Sequence, residues 1–306
     1  MLAGTTISAT ETKSKKTKLK TPFPPSSLFL NKSTIMSHQL LKGKNGIIFG
    51  ALDEKSIAWK TALKCFEEGA QIVLSNAPVA LRMGEINKLS EQCGNAPVIG
   101  ADVTNMEDLK NLFEKSMEHF GGKVDFVLHS IGMGINVRKG KHYTEMNYEW
   151  NQKTNDISSI SLHRVLRTAW DLDALSEWGS VVALTYIAAQ RVFPDYNEMA
   201  DAKALLESIT RSFGYHYGVK NKVRVNTISQ SPTRTTAGSG VKGFDGFINY
   251  AEKMSPLGNA SSEDCANYIA LMFSDYTRMV TMQNLFHDGG FSFTGVTAEV
   301  IEQMEK

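Results

Sequence analysis

The residues best suited to chemistry lie in FPDYNEMADAKALLE, residues 193–207, where Tyr196 stands seven residues before Lys203. Seven residues turn a helix by about 700°, about 20° short of two full turns. On one helix, Tyr196 and Lys203 would share a face with Met199 between them. A phenol beside an ammonium is an acid–base device: the positive charge favours phenolate and lowers the phenol pKa, and the lysine can hold a second group. The alternative is an exposed tyrosine and a solvated lysine. What separates the two readings is whether the rest of the chain builds a site around this stretch.

The elements that would position it are legible from residue 45 onward. Short apolar runs at NGIIFG (45–50), QIVLS (71–75), APVIGADV (96–103), VDFVLHS (124–130), GSVVALTY (179–186), KVRVNTIS (222–229) and within TMQNLFHDGG (281–290) read as seven strands. Between them lie helical patterns at 56–70, 79–92, 105–121 and roughly 147–173, then the helix carrying Lys203. The 105–121 segment starts at Asn105 with Asp108 three residues later, like a capping box. This βαβ rhythm predicts an α/β fold, a single Rossmann-like domain over residues 37–306 with a doubly wound, mostly parallel seven-stranded sheet. Ligands of such folds bind outside the carboxyl ends of the strands. That edge would carry Gly50, Ser75, Asp102, Ser130, Tyr186 and Ser229.

The first strand runs into GALDEKSIAWK, where Gly50 permits a tight turn towards a helix N-terminus able to take a pyrophosphate. The full G-x-G-x-x-G is absent; Ser56 would cap the helix or donate to a phosphate, and Ala58 is small enough for close packing. The second strand ends in SNAP, with no acidic residue for ribose hydroxyls, and Arg82 is the nearest cation for an extra phosphate. NADH and NADPH both stay open on these residues. Asp102 and Val103 would either hold an adenine edge or form a helix-capping loop.

Composition excludes several classes. Net charge is +1 over 306 residues, so no general nucleic-acid surface is expected. Three scattered cysteines and no CxxC or Cys/His spacing argue against disulfides and a metal site. No apolar run reaches 18 residues, so no membrane insertion is expected. A reducing, cytoplasmic location fits best. Residues 1–35 differ: six Lys and one Glu give them net +5, leaving −4 for the remainder. Rich in Ser, Thr, Lys and Pro, residues 1–36 are expected to be a disordered extension. Translation starting at Met36 is the preferred explanation; a targeting or accessory tail, with organellar import, is the other.

Taken in order, GALDEKSIA, HSIG (129–132), NDISSIS (155–161), LTY (184–186), PDYNEMADAKA (194–204), RVNTIS (224–229) and HDGGFS (287–292) resemble the bacterial enoyl-(acyl-carrier-protein) reductases, a divergent branch of the short-chain dehydrogenase/reductases. The resemblance spans about residues 40–294, and Tyr-x6-Lys is its specific element. It implies a homotetramer that uses NADH, sometimes NADPH, to reduce trans-2-enoyl thioesters on acyl carrier protein. It also implies Tyr196 at the thioester oxygen, Lys203 on the nicotinamide ribose, and Tyr186 as a second active-site tyrosine. By the same match, Gly50, Ser56, Ile57, Ala77, Asp102, Val103, Ser130, Ile131 and Gly132 fall on cofactor positions. Thr233, Arg234, Thr235, Thr236 and Ala237 would line the nicotinamide end, and Gly134 falls with Met199 on the substrate side. A flap over about 231–259, carrying Phe244, Phe247, Ile248 and Tyr250, would close over the acyl chain. Three departures stand out: Ala77 replaces a residue that is often polar; QSPTRT (230–235) stands where AGPIRT is common, matching at Pro232, Arg234 and Thr235 but bulkier at Gln230 and Ser231; and the spacer between HSIG and NDISS follows the pattern only loosely.

Two rival readings are a carbonyl or 3-oxoacyl reductase of the same superfamily and a nucleotide-binding sensor without turnover. The first calls for Tyr-x3-Lys and a serine at position 186; the chain has neither. The second has no need of Tyr186, Tyr196 and Lys203 together.

Overall fold

Alternation of side chains along buried strands sorts the core into two layers. The computed structural model describes residues 37–82, 85–194, 196–236, 238 and 243–305; the expectations for residues 1–36 and for Ala237 lie outside the described residues. The strands are β1 (Asn45–Phe49), β2 (Gln71–Asn76), β3 (Val98–Gly100), β4 (Val124–His129), β5 (Leu175–Thr185), β6 (Arg224–Gln230) and β7 (Asn284–His287). Among the described residues they form one sheet in the order β3-β2-β1-β4-β5-β6-β7, with every pairing parallel. Ile48, Leu74, Leu128, Val182 and Ile228 point into one layer, and their neighbours Ile47, Val73, Val127, Val181 and Val225 into the other.

Helices cover both faces. They are α1 (Ile57–Glu67), α2 (Pro78–Leu81), α3 (Glu85–Gln92), α4 (Met106–Phe120), α5 (Ile135–Arg138), α6 (Tyr148–Asn155), α7 (Ser161–Asp171), α8 (Glu198–Asn221), α9 (Phe244–Met254), α10 (Ser262–Phe273) and α11 (Ala298–Met304). α1, α3 and α10 supply Trp59, Leu89 and Phe273 to the first layer; α4, α7 and α8 supply Phe113, Leu166 and Leu206 to the second. Phe126 of β4 stacks on Phe273 with ring centroids 4.5 Å apart. Its ring leaves no room for a side chain at Gly46, whose Cβ would come within 2.0 Å of it. Each such fully buried apolar side chain stabilises the fold by about 1.5–3 kcal/mol.

Three expectations need correction. The helix read over 79–92 is two helices, α2 and α3, because Pro78 starts a short first piece that reaches its C-cap at Arg82. Asn105 caps α4 through Glu107 N and Asp108 N, but Asp108 does not return the bond. Its carboxylate accepts from Asp102 N at 2.9 Å instead. The long helix of 147–173 is broken by a π-turn at Asp156–Ile160 between α6 and α7. That extra residue turns the serines of NDISSIS inward. Ser158 Oγ accepts from Met133 N at 2.9 Å, Ser159 Oγ donates to Ala202 O at 2.9 Å, and Ser161 Oγ donates to Ile157 O at 2.6 Å. The π-turn therefore joins the loop after β4 to α8, the two walls of the site.

Candidate active site

The carboxyl ends of β4, β5 and β6 open into a cleft of about 240 Å³. It is lined by Ile57, Ser130, Ile131, Gly132, Gly134, Tyr186, Tyr196, Met199, Lys203, Thr233 and Thr235 from the sequence-based expectations. Val137, Arg138, Leu184, Thr185, Gln230, Ser231, Pro232, Gly238, Phe244 and Phe247 complete its wall. The predicted pair is thus brought together, but not by the route expected. Tyr196 does not lie on the helix: α8 starts at Glu198, after Asn197 at φ 48°, ψ −138°. Tyr196 sits in the preceding bend, its N–H donating to Phe193 O at 3.0 Å and its carbonyl accepting from Met199 N at 3.2 Å. The tyrosine reaches the cleft from a bent lead-in and the lysine from the helix that follows it.

The start of α8 is anchored on both sides of its bend. Asn197 Nδ2 donates to Lys141 O at 2.6 Å. The buried carboxylate of Glu198 accepts from Asn136 N at 2.7 Å and from Thr154 Oγ1 at 3.2 Å. Gly134, Val137 and Arg138 belong to the segment so tied, and a Cβ at Gly134 would meet Met199 Cγ at 2.6 Å. Helix start and cleft wall are held as one piece.

Electrostatics also correct the opening expectation. Burial pushes the Tyr196 phenol above its ordinary value, and burial does the same to Tyr186, with smaller contributions from Tyr196 and Asp288. Both are phenols, not phenolates, at neutral pH. Burial also pulls the Lys203 ammonium down to about 8, opposed by the charge of Glu207. Lys203 Nζ donates to Leu184 O at 2.8 Å, which aims it along the end of β5. Glu207, one helical turn further along α8, accepts from Thr185 Oγ1 at 2.9 Å, Gln190 Nε2 at 3.1 Å and Asn284 Nδ2 at 3.1 Å. The rings of Tyr186 and Tyr196 lie 5.1 Å apart. The hydroxyls of both have no protein hydrogen-bond partner among the described residues. His129, beneath the cleft, donates from Nε2 to Ser161 Oγ at 2.8 Å, and burial lowers it to about 3, so it is neutral and structural.

Other expected residues lie outside this cleft. Gly50 makes the turn after β1 at φ 94°, and a Cβ there would stand 2.0 Å from Ser130 O. Ser56 is the N-cap of α1, its Oγ accepting from Trp59 N at 3.3 Å. Ala77 precedes α2, Val103 is buried, and Asp102 binds Thr104 N at 2.9 Å in the loop before α4. Arg234 is turned away from the cleft by an ion pair with Asp245, and Thr236 donates to Asp53. The residues fit a dinucleotide. α1 has no acidic side chain in its first turn, which leaves its N-terminus suited to an anion. Ile57 at that helix start shares the cleft with Lys203, so a helix N-terminus and a buried amine lie along one continuous surface. Among the described residues no group of three His, Cys, Asp or Glu side chains could hold a metal ion.

Sheet order, glycine turn and Tyr–Lys cleft together define an oxidoreductase of the short-chain dehydrogenase/reductase type. The model of the enoyl-(acyl carrier protein) reductase family matches residues 50–292. The enoyl-(acyl-carrier-protein) reductase (NADH) FabI of Bacillus subtilis is 30% identical over 257 residues, covering 83% of this chain and 98% of that protein. The enzyme of the same name from Aquifex aeolicus is 32% identical over 260 residues, covering 84% and 94%. The crystal structure of the FabI–NADH complex from Alistipes finegoldii superposes with a TM-score of 0.84 at 61% identity, covering 85% of this chain and 92% of that one. The chain belongs to the enoyl-(acyl-carrier-protein) reductase family.

Sequence reasoning missed Glu198, Glu207 and Leu184. Both glutamates sit beside the named motif, and the only signal was their presence on the buried side of a helix.

Proposed function

We infer that this chain reduces the carbon–carbon double bond of trans-2-enoyl thioesters carried on acyl carrier protein, with NADH as reductant, the final reductive step of each cycle of fatty-acid elongation. The observation that carries the reading is the convergence of Tyr186, Tyr196 and Lys203 on one cleft in a chain matched by the reductase family over 50–292. NADH, when bound, supplies the hydride taken up at the β-carbon. Negative charge then develops on the thioester oxygen, and a donor already in place there lowers the barrier because it need not reorganise. Tyr196 is that donor: its hydroxyl is protonated and uncommitted to any protein acceptor among the described residues. Lys203 gives one N–H to Leu184 O and keeps two for the nicotinamide ribose hydroxyls, while its charge favours the anionic transition state. Tyr186, whose ring lies against that of Tyr196, orients the thioester beside it.

Met199, Val137, Phe244 and Phe247 give the acyl chain an apolar path, and Gly134 keeps that path open. The segment 231–259, with α9 at its centre, acts as the flap over it. Gly50, Ser56, Ile57, Ala77, Asp102 and Val103 serve the adenine and phosphate end; Ser130, Ile131, Gly132 and Thr233–Thr236 serve the ribose and nicotinamide end. A cytoplasmic homotetramer completes the reading, supported by family membership. The test is NADH and NADPH oxidation, followed by absorbance, with crotonyl and longer trans-2-enoyl thioesters and with 3-oxoacyl thioesters as control. Turnover of enoyl substrates alone is expected; turnover of 3-oxo substrates alone would make this a carbonyl reductase, and binding without turnover would make it a sensor.

A further inference from the structure

The departure at Gln230 and Ser231 has a partner on the neighbouring strand. Gln230, 5% exposed, ends β6 and lines the cleft together with Lys203, Leu184 and Ile57. His287 ends β7 directly opposite it in register. Their side chains meet, His287 Nδ1 to Gln230 Oε1 at 2.8 Å, and the imidazole is stacked on Tyr268 of α10 at 5.0 Å with the planes 12° apart. The stack fixes the ring, and Nδ1–H fixes which end of the amide turns away from the cleft. Gln230 Nε2 is left towards Thr233, whose Oγ1 it reaches only at 3.5 Å. Thr233 Oγ1 itself donates to Ser231 O at 2.9 Å, so it has lone pairs to spare. Ser231 Oγ accepts from Ala260 N at 3.2 Å, and Ser231 N donates to His287 O at 3.2 Å. Both bulkier residues therefore bolt the base of the flap to β7 and to the start of α10.

A primary amide carries two N–H donors. One of Gln230's reaches Thr233 at the limit of hydrogen bonding, and the other has no protein partner among the described residues. A buried donor without an acceptor is costly, and a ligand acceptor in the cleft removes that penalty. We propose that Gln230, oriented by His287, is a cofactor-binding residue whose Nε2 donates to the carboxamide oxygen of the nicotinamide ring. The proposal rests on the reading that this cleft takes NADH. It assigns to the polar pair a contact that the Ala-Gly of the family pattern cannot make through a side chain.

The experiment measures binding, by quenching of protein fluorescence, of NADH and of thionicotinamide NADH, whose C=S is a poor acceptor. Wild type and Gln230→Met are compared; methionine keeps length and packing and removes the donor. The expected result is that wild type prefers NADH over the thio analogue by about tenfold, one good hydrogen bond's worth. Gln230→Met should shrink that preference at least threefold, because the substitution removes what distinguishes the two ligands. A role in folding alone would weaken both ligands equally and leave their ratio unchanged, which overturns the proposal. His287→Phe keeps the stack on Tyr268 and frees the amide, and its ratio should fall between the other two; should Gln230→Met not fold, an unchanged ratio in His287→Phe overturns the proposal. Wild type that binds NADH and reduces enoyl thioesters while the ratio stays fixed defeats only this assignment. Wild type that binds no NADH defeats the assignment and the functional reading together.

Discussion

Replacing Tyr196 by Phe removes one oxygen from the molecule and tests the centre of the mechanism. That oxygen makes no protein hydrogen bond among the described residues, so its loss leaves no orphaned partner. The ring contact with Tyr186 at 5.1 Å is retained by phenylalanine. Stability should therefore stay within about 0.5 kcal/mol, the range of substitutions that break no partner. The hydroxyl matters only when charge appears on the thioester oxygen. Removing one preorganised oxyanion donor costs about 10²–10³ in kcat, and that is the expected drop, with Kd for NADH changed less than twofold. Single-turnover NADH oxidation with a crotonyl thioester measures the chemical step, and a thermal melt measures stability on the same sample. A variant as fast as wild type would remove Tyr196 from the chemistry. A variant equally slow but several degrees less stable would show that the tyrosine acts through the fold.

Lys203 makes the pH dependence specific. With its ammonium at about 8, NADH affinity should fall as pH rises through 8, and a flat Kd from pH 6.5 to 9.5 would contradict a charged ribose contact. In the unfolded chain the same lysine keeps its proton up to its ordinary value of 10.5. Between about 8 and that value the unfolded state binds more protons, so this group makes ligand-free stability rise with pH, which melts across the window would detect. Glu198→Ala strands the buried Asn136 N–H, and should cost about 1–3 kcal/mol and several-fold in kcat; Glu198→Gln keeps an acceptor and should recover most of both in melts and assays. Gly50→Ala forces a Cβ to within 2.0 Å of Ser130 O at φ 94°, and should destabilise the protein by more than about 1 kcal/mol and weaken NADH binding in a titration.

The strands could be read from the sequence because burial on both faces leaves short β-branched runs between glycines, and parallel pairing then follows from the helices between them. The structure brings the tyrosine and the lysine to one cleft, but not through the geometry that their spacing suggested. A helix over 193–207 ignores Asn197, which takes up a positive φ and starts α8 two residues after the tyrosine. The phenol's protonation was also misjudged from spacing, since desolvation outweighs a lysine whose own charge is weakened by the same burial. Arg234 pairs with Asp245, eleven residues on, a partner that the motif around Arg234 does not announce. Glu207 was silent, and Gln230 stood out only by its size, for a different reason. Their partners Asn284 and His287 lie 77 and 57 residues away, distances over which local pattern carries no information.

The sheet order sets a schedule for biosynthesis. β1 is made first yet sits inside the sheet, flanked by β2 and β4, so the half of the sheet around it can assemble while the ribosome is still at work. β7 is made last and occupies the outer edge beside β6. Until it emerges, Glu207 lacks Asn284 and Gln230 lacks His287, although both tyrosines and Lys203 have long been synthesised. A nascent chain would thus hold every reactive group before it holds the support beneath them, and competence arrives with the final strand.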